Sequence, residues 1–130
     1  MKFVEQLINA ENYIGGQGVN KNEITAAEDV LDLHFSKEYS EYLSTVGVGA
    51  FKEHELTGIT DIKYLNVVTV TKAQREFNSL VPKNLYVIEE ANIDFIVLWQ
   101  DERGTVYQSS HGLAPYKVAN SLEEYYFKKG

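Results

Sequence analysis

The stretch GVGAFKEHELTGI, Gly47–Ile59, gathers Gly47, Gly49 and Gly58 around the consecutive residues Glu53, His54 and Glu55. Such residue types support three chemistries: glycines cradle phosphate, histidine and carboxylates bind metal, and a carboxylate beside a histidine moves protons. Each needs a further feature. A P-loop ends in Gly-Lys-Ser/Thr, because its lysine and hydroxyl reach phosphate and magnesium. Neither this stretch nor Gly15-Gly16-Gln17-Gly18 ends that way. Gly47 and Gly49 follow a helical pattern rather than open one, so no helix N-terminus is aimed at a phosphate. Read as a strand, the triplet places Glu53 and Glu55 on one face and turns His54 away, so a metal would need ligands from elsewhere. The remaining histidines are His34, on a helix stripe, and His111, in the polar run Ser109-Ser110-His111; no HExxH-type spacing joins them. There is no cysteine and no G-x-S-x-G nucleophile. The adjacent acids Glu89-Glu90, Asp101-Glu102 and Glu123-Glu124 read as solvated carboxylates at loops and helix starts. No catalytic residue, metal ligand or cofactor is therefore expected. The competing enzyme reading is a small hydrolase or metal centre built on Glu53, His54 and Glu55.

The elements that must position these residues change character along the chain. Phe3, Val4, Leu7 and Ile8 lie near helical spacing and predict a short helix over Lys2–Asn9. A Gly/Asn-rich loop follows over Gly15–Glu23. Thr25 and Glu28 form a capping box, opening a helix with Ala27, Val30, Leu31 and His34 on one stripe and Glu28, Asp29 and Asp32 opposite. Ser36 caps the next helix, whose stripe is Tyr39, Tyr42, Leu43 and Val46, and Gly47 stands where a left-handed C-terminal cap is wanted. The β-branched run Tyr64–Val70 predicts a strand, and Thr71-x-x-Gln74 predicts the cap of a short helix after it. Leu85–Ile88 and Ile93–Trp99 predict strands. Polar Gln100–Arg103 with Gly104 predicts a hairpin returning through Thr105–Gln108. Ser121-x-x-Glu124 caps a closing helix. The fold class is α+β, a mainly antiparallel sheet of about five or six strands covered by N-terminal helices, in one domain over residues 1–130.

The bulk composition narrows the partners. No run of apolar residues is long enough for a membrane span and no signal-peptide core is present, which predicts a cytoplasmic protein that does not bind membrane. Net charge is −7, which argues against nucleic acid. Residues 1–61 hold 11 acids and 4 lysines, whereas residues 62–130 hold 8 acids and 8 bases. The whole excess thus sits in the first half. An acidic excess keeps a protein soluble, and gathered on one surface it also steers toward a basic partner. Nine tyrosines and one tryptophan are expected to be half-buried. Trp99, at a strand end beside a loop, is the one to consider as an interface anchor.

Several segments, taken in order, resemble the SUKH superfamily, which includes the Smi/Knr cell-wall-regulator domain. ITAAEDVLDLHF followed by SKEYSEYL resembles its paired opening helices, with Phe35-Ser36 in place of Leu-Pro. HELTGI, NVVTVTKAQR, NLYVIEEANIDFIVLWQDERGTVY and ANSLEEYY resemble its first strand, its N-V-V segment, its hairpin strands and its closing helix. The likeness runs from about Ile24 to Tyr126, and HELTGI and WQDERG look most like the Gram-positive branch. The resemblance implies a non-enzymatic immunity protein that neutralises a cognate toxin, often a nuclease, by direct binding. With the charge asymmetry, it points to Glu28, Asp29 and Asp32 on the outer helix face and to Glu53, Glu55 and Asp61 as partner-binding acids. Trp99 and Asp101 are secondary. The alternative is a regulatory scaffold binding an endogenous protein. Monomer and homodimer both stay open.

Overall fold

Four helices begin at a side chain that accepts an otherwise unused backbone N–H, and these caps set the layout. In the computed structural model, which describes residues 2–91, 93–110 and 112–128, helix α1 spans Phe3–Ile8 and α2 spans Lys21–Leu31, the latter capped by Asn20 Oδ1. Helix α3, Lys37–Thr45, is capped by Ser36 Oγ, and α5, Leu122–Phe127, by Ser121 Oγ. Both serine caps are where the sequence places them. Gly47 closes α3 at φ +76° and donates to the carbonyls of Tyr42 and Leu43, a conformation that suits glycine.

Several expectations are corrected here. The second helix starts four residues before Thr25, because Asn20 caps it; Glu28 instead accepts from the Phe35 amide at 2.8 Å. The helix ends at Leu31 with Asp32 left-handed, so His34 lies beyond it and is exposed, as is Val30. The β-branched run is no strand. A short 3₁₀ turn, Lys63–Leu65, precedes helix α4, Val67–Phe77, whose cap is Asn66 accepting from Val68 and Thr69. β-Propensity gives way because Val67, Val70 and Thr71 form a buried helical stripe and Asn66 closes the first turn. Thr71 is not a cap: its Oγ1 accepts from the Val87 amide and ties α4 to the sheet. Asn66→Ala is expected to cost about 1 kcal/mol, read as a lower urea midpoint with unchanged slope. An unmoved midpoint would rule out Asn66 as the start of α4.

The strands are all antiparallel and lie in two sheets rather than one. A small sheet joins β1 (Ile14–Gly15), β2 (Gly49–Phe51) and β3 (His54–Glu55). A larger one joins β4 (Tyr86–Glu90), β5 (Ile96–Gln100), β6 (Val106–Ser110) and β7 (Tyr116–Ala119) in chain order. Strands β1 and β7 lie where the sequence signals only loop. Thr57 joins the sheets, its amide donating to Ile88 O at 2.8 Å and its hydroxyl to Val87 O at 2.7 Å. The chain crosses itself closely here: a Cβ on Gly58 would stand 2.0 Å from the Gly47 carbonyl oxygen.

Alternation along the larger sheet buries both of its faces. Tyr86, Ile88, Leu98 and Val106 join the main core with α1, α2, α3, α5 and Phe51. Val87, Val97, Trp99 and half-buried Tyr107 pack with Val70, Val81 and Leu85, so α4 covers the second face. Gln100, fully buried, is the polar hub of the first face. Its Oε1 accepts from Ser36 Oγ and Tyr86 Oη, and its Nε2 donates to Glu38 and to Gly104 O, all within 3.0 Å. Glu38 in turn accepts from the Leu122 and Glu123 amides, the first of α5. Burial pushes the Glu38 carboxyl up, and those amide donors oppose the shift.

Candidate partner-binding surface

The Glu53-His54-Glu55 triplet is divided by a turn. Phe51 pairs with His54 across a two-residue loop, Lys52-Glu53, with Lys52 at φ +51°. Glu53 therefore sits at an exposed turn instead of sharing a strand face with Glu55. His54 folds inward, its Nδ1 3.0 Å from Glu89 Oε2 and its ring edge-on to Tyr126, whose hydroxyl donates to Glu89 Oε1 at 2.6 Å. This is an interior polar contact. Among the described residues no three His, Cys, Asp or Glu side chains gather as metal ligands. His111 lies outside the described residues.

The other sequence-predicted residues fall in three places. Asp29 and Asp32 are exposed at the C-terminal end of α2, where Asp32 adopts a left-handed backbone and neighbours Arg75. Glu28 is half-buried as the acceptor for Phe35. Asp61 is exposed in the loop before the 3₁₀ turn. Trp99 and Asp101 offer no surface. Trp99 is 0 % exposed and donates Nε1–H to Ser109 Oγ at 2.9 Å. Asp101 is spent on its own hairpin, accepting from the Arg103 and Thr105 amides and from Tyr107 Oη. An aromatic at a strand end satisfies the packing of the second face as well as it would a partner, so the sequence position did not separate the two roles.

Glu55 reaches a concavity. With Thr57, Tyr64, Leu65 and Glu90 it lines a cleft of about 200 Å³ where the small sheet meets β4. Glu90 also borders a larger groove, about 530 Å³, between the C-terminal end of α4 and the β4–β5 connection. The groove walls include Phe77, Asp94, Phe95 and Val97, and among the described residues no lysine or arginine lines it. The register explains the arrangement. Glu89 and Glu90 are consecutive on β4, so one carboxylate turns into the core and the next turns out. Gln74 Nε2 donates to Glu90 Oε2 and fixes that carboxylate against α4.

Phe77 and Phe95 line the groove and are 61 % and 65 % exposed. Buried Asn78, also in the lining, holds neighbouring backbone: its Nδ2 donates to Leu113 O at 2.8 Å and its Oδ1 accepts from the Leu80 amide. Asp94 and Phe95 both hold positive φ, +54° and +56°. For a bulky aromatic this conformation is an outlier of order 1–3 kcal/mol, of the kind that persists where surrounding structure imposes it. None of Tyr64, Phe77, Glu90, Asp94 or Phe95 was a sequence candidate. They come from three separated segments, and the one local signal is a phenylalanine beside an aspartate between two strands.

Chemically, the surface sets carboxylates beside aromatic and aliphatic side chains. Among the described residues no helix is long and apolar enough to cross a membrane. A family model described as "SUKH_5: SMI1-KNR4 cell-wall" matches residues 1–128. A solved structure from Pseudomonas syringae pv. tomato, titled only as a protein crystal structure, superposes with a TM-score of 0.76 at 19% identity, over 95% of this chain and 94% of that one. At that identity the likeness concerns the fold. A search of curated proteins returned no match.

Proposed function

Because the chain belongs to the SMI1-KNR4 cell-wall family of the SUKH superfamily, we propose that it is a non-catalytic cytoplasmic immunity protein that binds and neutralises a basic, nuclease-like toxin. Domains of this family are generally non-catalytic, which favours a binding role over the hydrolase reading. The observation that carries the proposal is the surface where Glu55, Tyr64 and Glu90 meet the apolar groove. It combines carboxylates with aromatic anchors, the residue mix of protein interfaces whose energy is concentrated at a few sites. A nuclease surface is basic because it holds phosphates, and an acidic protein of net charge −7 approaches it quickly by steering. Exposed Asp29, Asp32, Glu53 and Asp61 add to that long-range field wherever the contact itself lies. A stable complex would bury about 1,600 Å² in total.

The test is co-expression with the product of a neighbouring toxin gene. Growth should be restored and the two chains should co-purify. Association should slow as ionic strength rises, because exposed charges are screened beyond about 8 Å in physiological salt. A wild-type chain that neither restores growth nor co-purifies with the toxin would sink the proposal. Binding instead to an endogenous protein of the host, with no toxin gene nearby, would favour the regulatory-scaffold reading suggested by the family's cell-wall branch.

A further inference from the structure

The 3₁₀ turn that carries Tyr64 is locked beside the strand that carries Glu55. The Gly58 amide donates to Leu65 O and the Val67 amide to Gly58 O, both at 2.8 Å, and Asn66 Nδ2 closes the loop on Thr60 O at 2.9 Å. Glu55 ends β3 just ahead of Thr57, and Glu90 ends β4, which Thr57 holds through Val87 and Ile88. Three separated segments thus enclose the cleft lined by Glu55, Thr57, Tyr64, Leu65 and Glu90. Its volume of about 200 Å³ lies below the roughly 300 Å³ at which pockets begin to take a drug-sized ligand, and suits one side chain.

The lining selects that side chain. Half-buried Leu65 supplies an apolar wall. The Thr57 hydroxyl is already engaged, with Val87 O at 2.7 Å and Tyr39 Oη at 2.8 Å. Gln74 holds Glu90 by one carboxylate oxygen, Oε2, and fixes where the other stands. Among the described residues the Glu55 carboxylate makes no hydrogen bond or ion pair, and Lys63, next to Tyr64 in the turn, is paired with neither glutamate. Tyr64 is 63 % exposed, and its side chain makes no hydrogen bond or ring contact among the described residues. Two carboxylates with acceptor capacity to spare thus flank an open aromatic ring. A guanidinium answers both: its planar fork of N–H groups donates to carboxylates, its face lies over an aromatic ring, and its methylene stem packs on an apolar wall. A lysine ammonium is a point charge without the fork or the plane. A phosphate, from nucleic acid or lipid, would meet two like charges.

We propose that this cleft is a socket for one arginine side chain presented by a basic protein partner. The proposal deepens the partner-binding reading above by naming the anchor that is recognised, and it rests on that reading only for the partner's identity. This chain's own arginines are Arg75, which donates to Lys83 O and Leu85 O, and exposed Arg103. A second copy offering Arg103 would bring a net charge of −7 against the same sign, which favours a basic partner over self-association.

The experiment uses the full chain, ¹⁵N-labelled, and the synthetic peptide GGRGG, N-acetylated and C-amidated, followed by amide chemical shifts. Saturable shifts are expected at Glu55, Tyr64, Leu65 and Glu90, with affinity in the millimolar range. The E55Q/E90Q chain should bind about tenfold more weakly, because hydrogen bonds to charged groups are the stronger class. The Tyr64→Ala chain should bind about threefold more weakly, through loss of the ring face. GGKGG should bind more weakly than GGRGG, and the same peptide with neutral citrulline in place of arginine should give no saturable shift. Glu55 and Tyr64 are exposed, so the Glu55→Gln and Tyr64→Ala chains should keep the wild-type amide dispersion and serve as probes from opposite walls. Saturable binding of the citrulline peptide, equal binding of GGKGG, or shifts confined to Asp29, Asp32 and Asp61 would overturn the proposal. Cleft shifts that follow protein concentration without peptide would also overturn it, by identifying a second copy as the occupant. Co-expression separates this idea from the immunity reading. Toxin rescue retained in full by an E55Q/Y64A chain removes the socket and leaves immunity standing. Absence of rescue by the wild-type chain, alongside cleft shifts with GGRGG, removes immunity and supports the socket.

Discussion

Replacing Gln100 with leucine should destabilise the protein by about 4 kcal/mol, although the two side chains are close in volume. Gln100 is 0 % exposed, and of its partners Ser36, Tyr86 and Gly104 are buried and Glu38 half-buried. The substitution leaves the Ser36 and Tyr86 hydroxyls without an acceptor, the Gly104 carbonyl without its donor, and Glu38 with two donors instead of three. An orphaned buried polar group costs roughly 1–3 kcal/mol, and three such losses in one network, with a fourth bond weakened at Glu38, do not add fully. The total would remove a large part of a stability expected at roughly 5–15 kcal/mol. Urea unfolding measures it. Hydrogen exchange adds a local readout, since the Leu122 and Glu123 amides rest on Glu38 and should lose protection. A loss below about 1 kcal/mol would mean that water or rearrangement serves these groups and that the hub is not a coupled unit.

Alkaline pH should unfold the chain more steeply than heat or salt would suggest. Tyr39, Tyr42, Tyr86 and Tyr126 are buried, and desolvation by burial, the largest cause in each, pushes all four phenols well above the ordinary tyrosine value. Unfolded, each would ionise near pH 10. Above that pH the unfolded chain releases phenolic protons that the folded chain keeps, so the folded state binds more protons and stability falls as pH rises. The stabilisation is complete below the unfolded value and declines through the whole range up to the folded one. From pH 10 to about pH 11 each tyrosine should contribute a loss of about 1 kcal/mol, or about 4 kcal/mol for the four together. Equilibrium unfolding across that interval, with phenolate absorbance followed in parallel, gives the slope. Ionisation of these tyrosines with a folded near-UV spectrum at pH about 10 would contradict their burial.

The parts of the fold that could be read from sequence are those set by neighbours in the chain. Ser36 and Ser121 cap helices because a hydroxyl three residues ahead of an amide needs nothing distant. The Tyr39–Tyr42–Leu43–Val46 stripe and Gly47 follow from helical periodicity and a left-handed stop. The failures have tertiary causes. VVTV reads as strand by propensity, and it is a helix because the second face of the sheet needs a cover and Asn66 supplies the first turn. Thr25–Glu28 has the spacing of a cap, but Glu28 is drawn to Phe35 and Asn20 takes the role five residues earlier. The site shows the same division. Glu55 lies on the cleft as a residue of the motif that drew attention to it. Phe77, Glu90 and Phe95 become neighbours only through the packing of α4 on β4 and the register of β4 with β5, information that no short window contains. The charge asymmetry was legible as a number and not as a place, since Asp29, Glu53 and Glu55 project from different elements.

The Glu38 cap has a consequence for synthesis. The residue that starts α5 lies 84 positions before Leu122, and the ring of Phe3 on α1 packs against Tyr126 and Phe127. The opening helix thus rests on the closing one. While a ribosome still encloses α5, the nascent chain shows Phe3, Tyr42 and Phe51 without their cover, and Glu38 has no amides to hold. Long-range closure of this kind places the decisive contacts late. A chain interrupted before α5 would expose apolar surface and be open to proteases, so the native core would close only in molecules translated through α5.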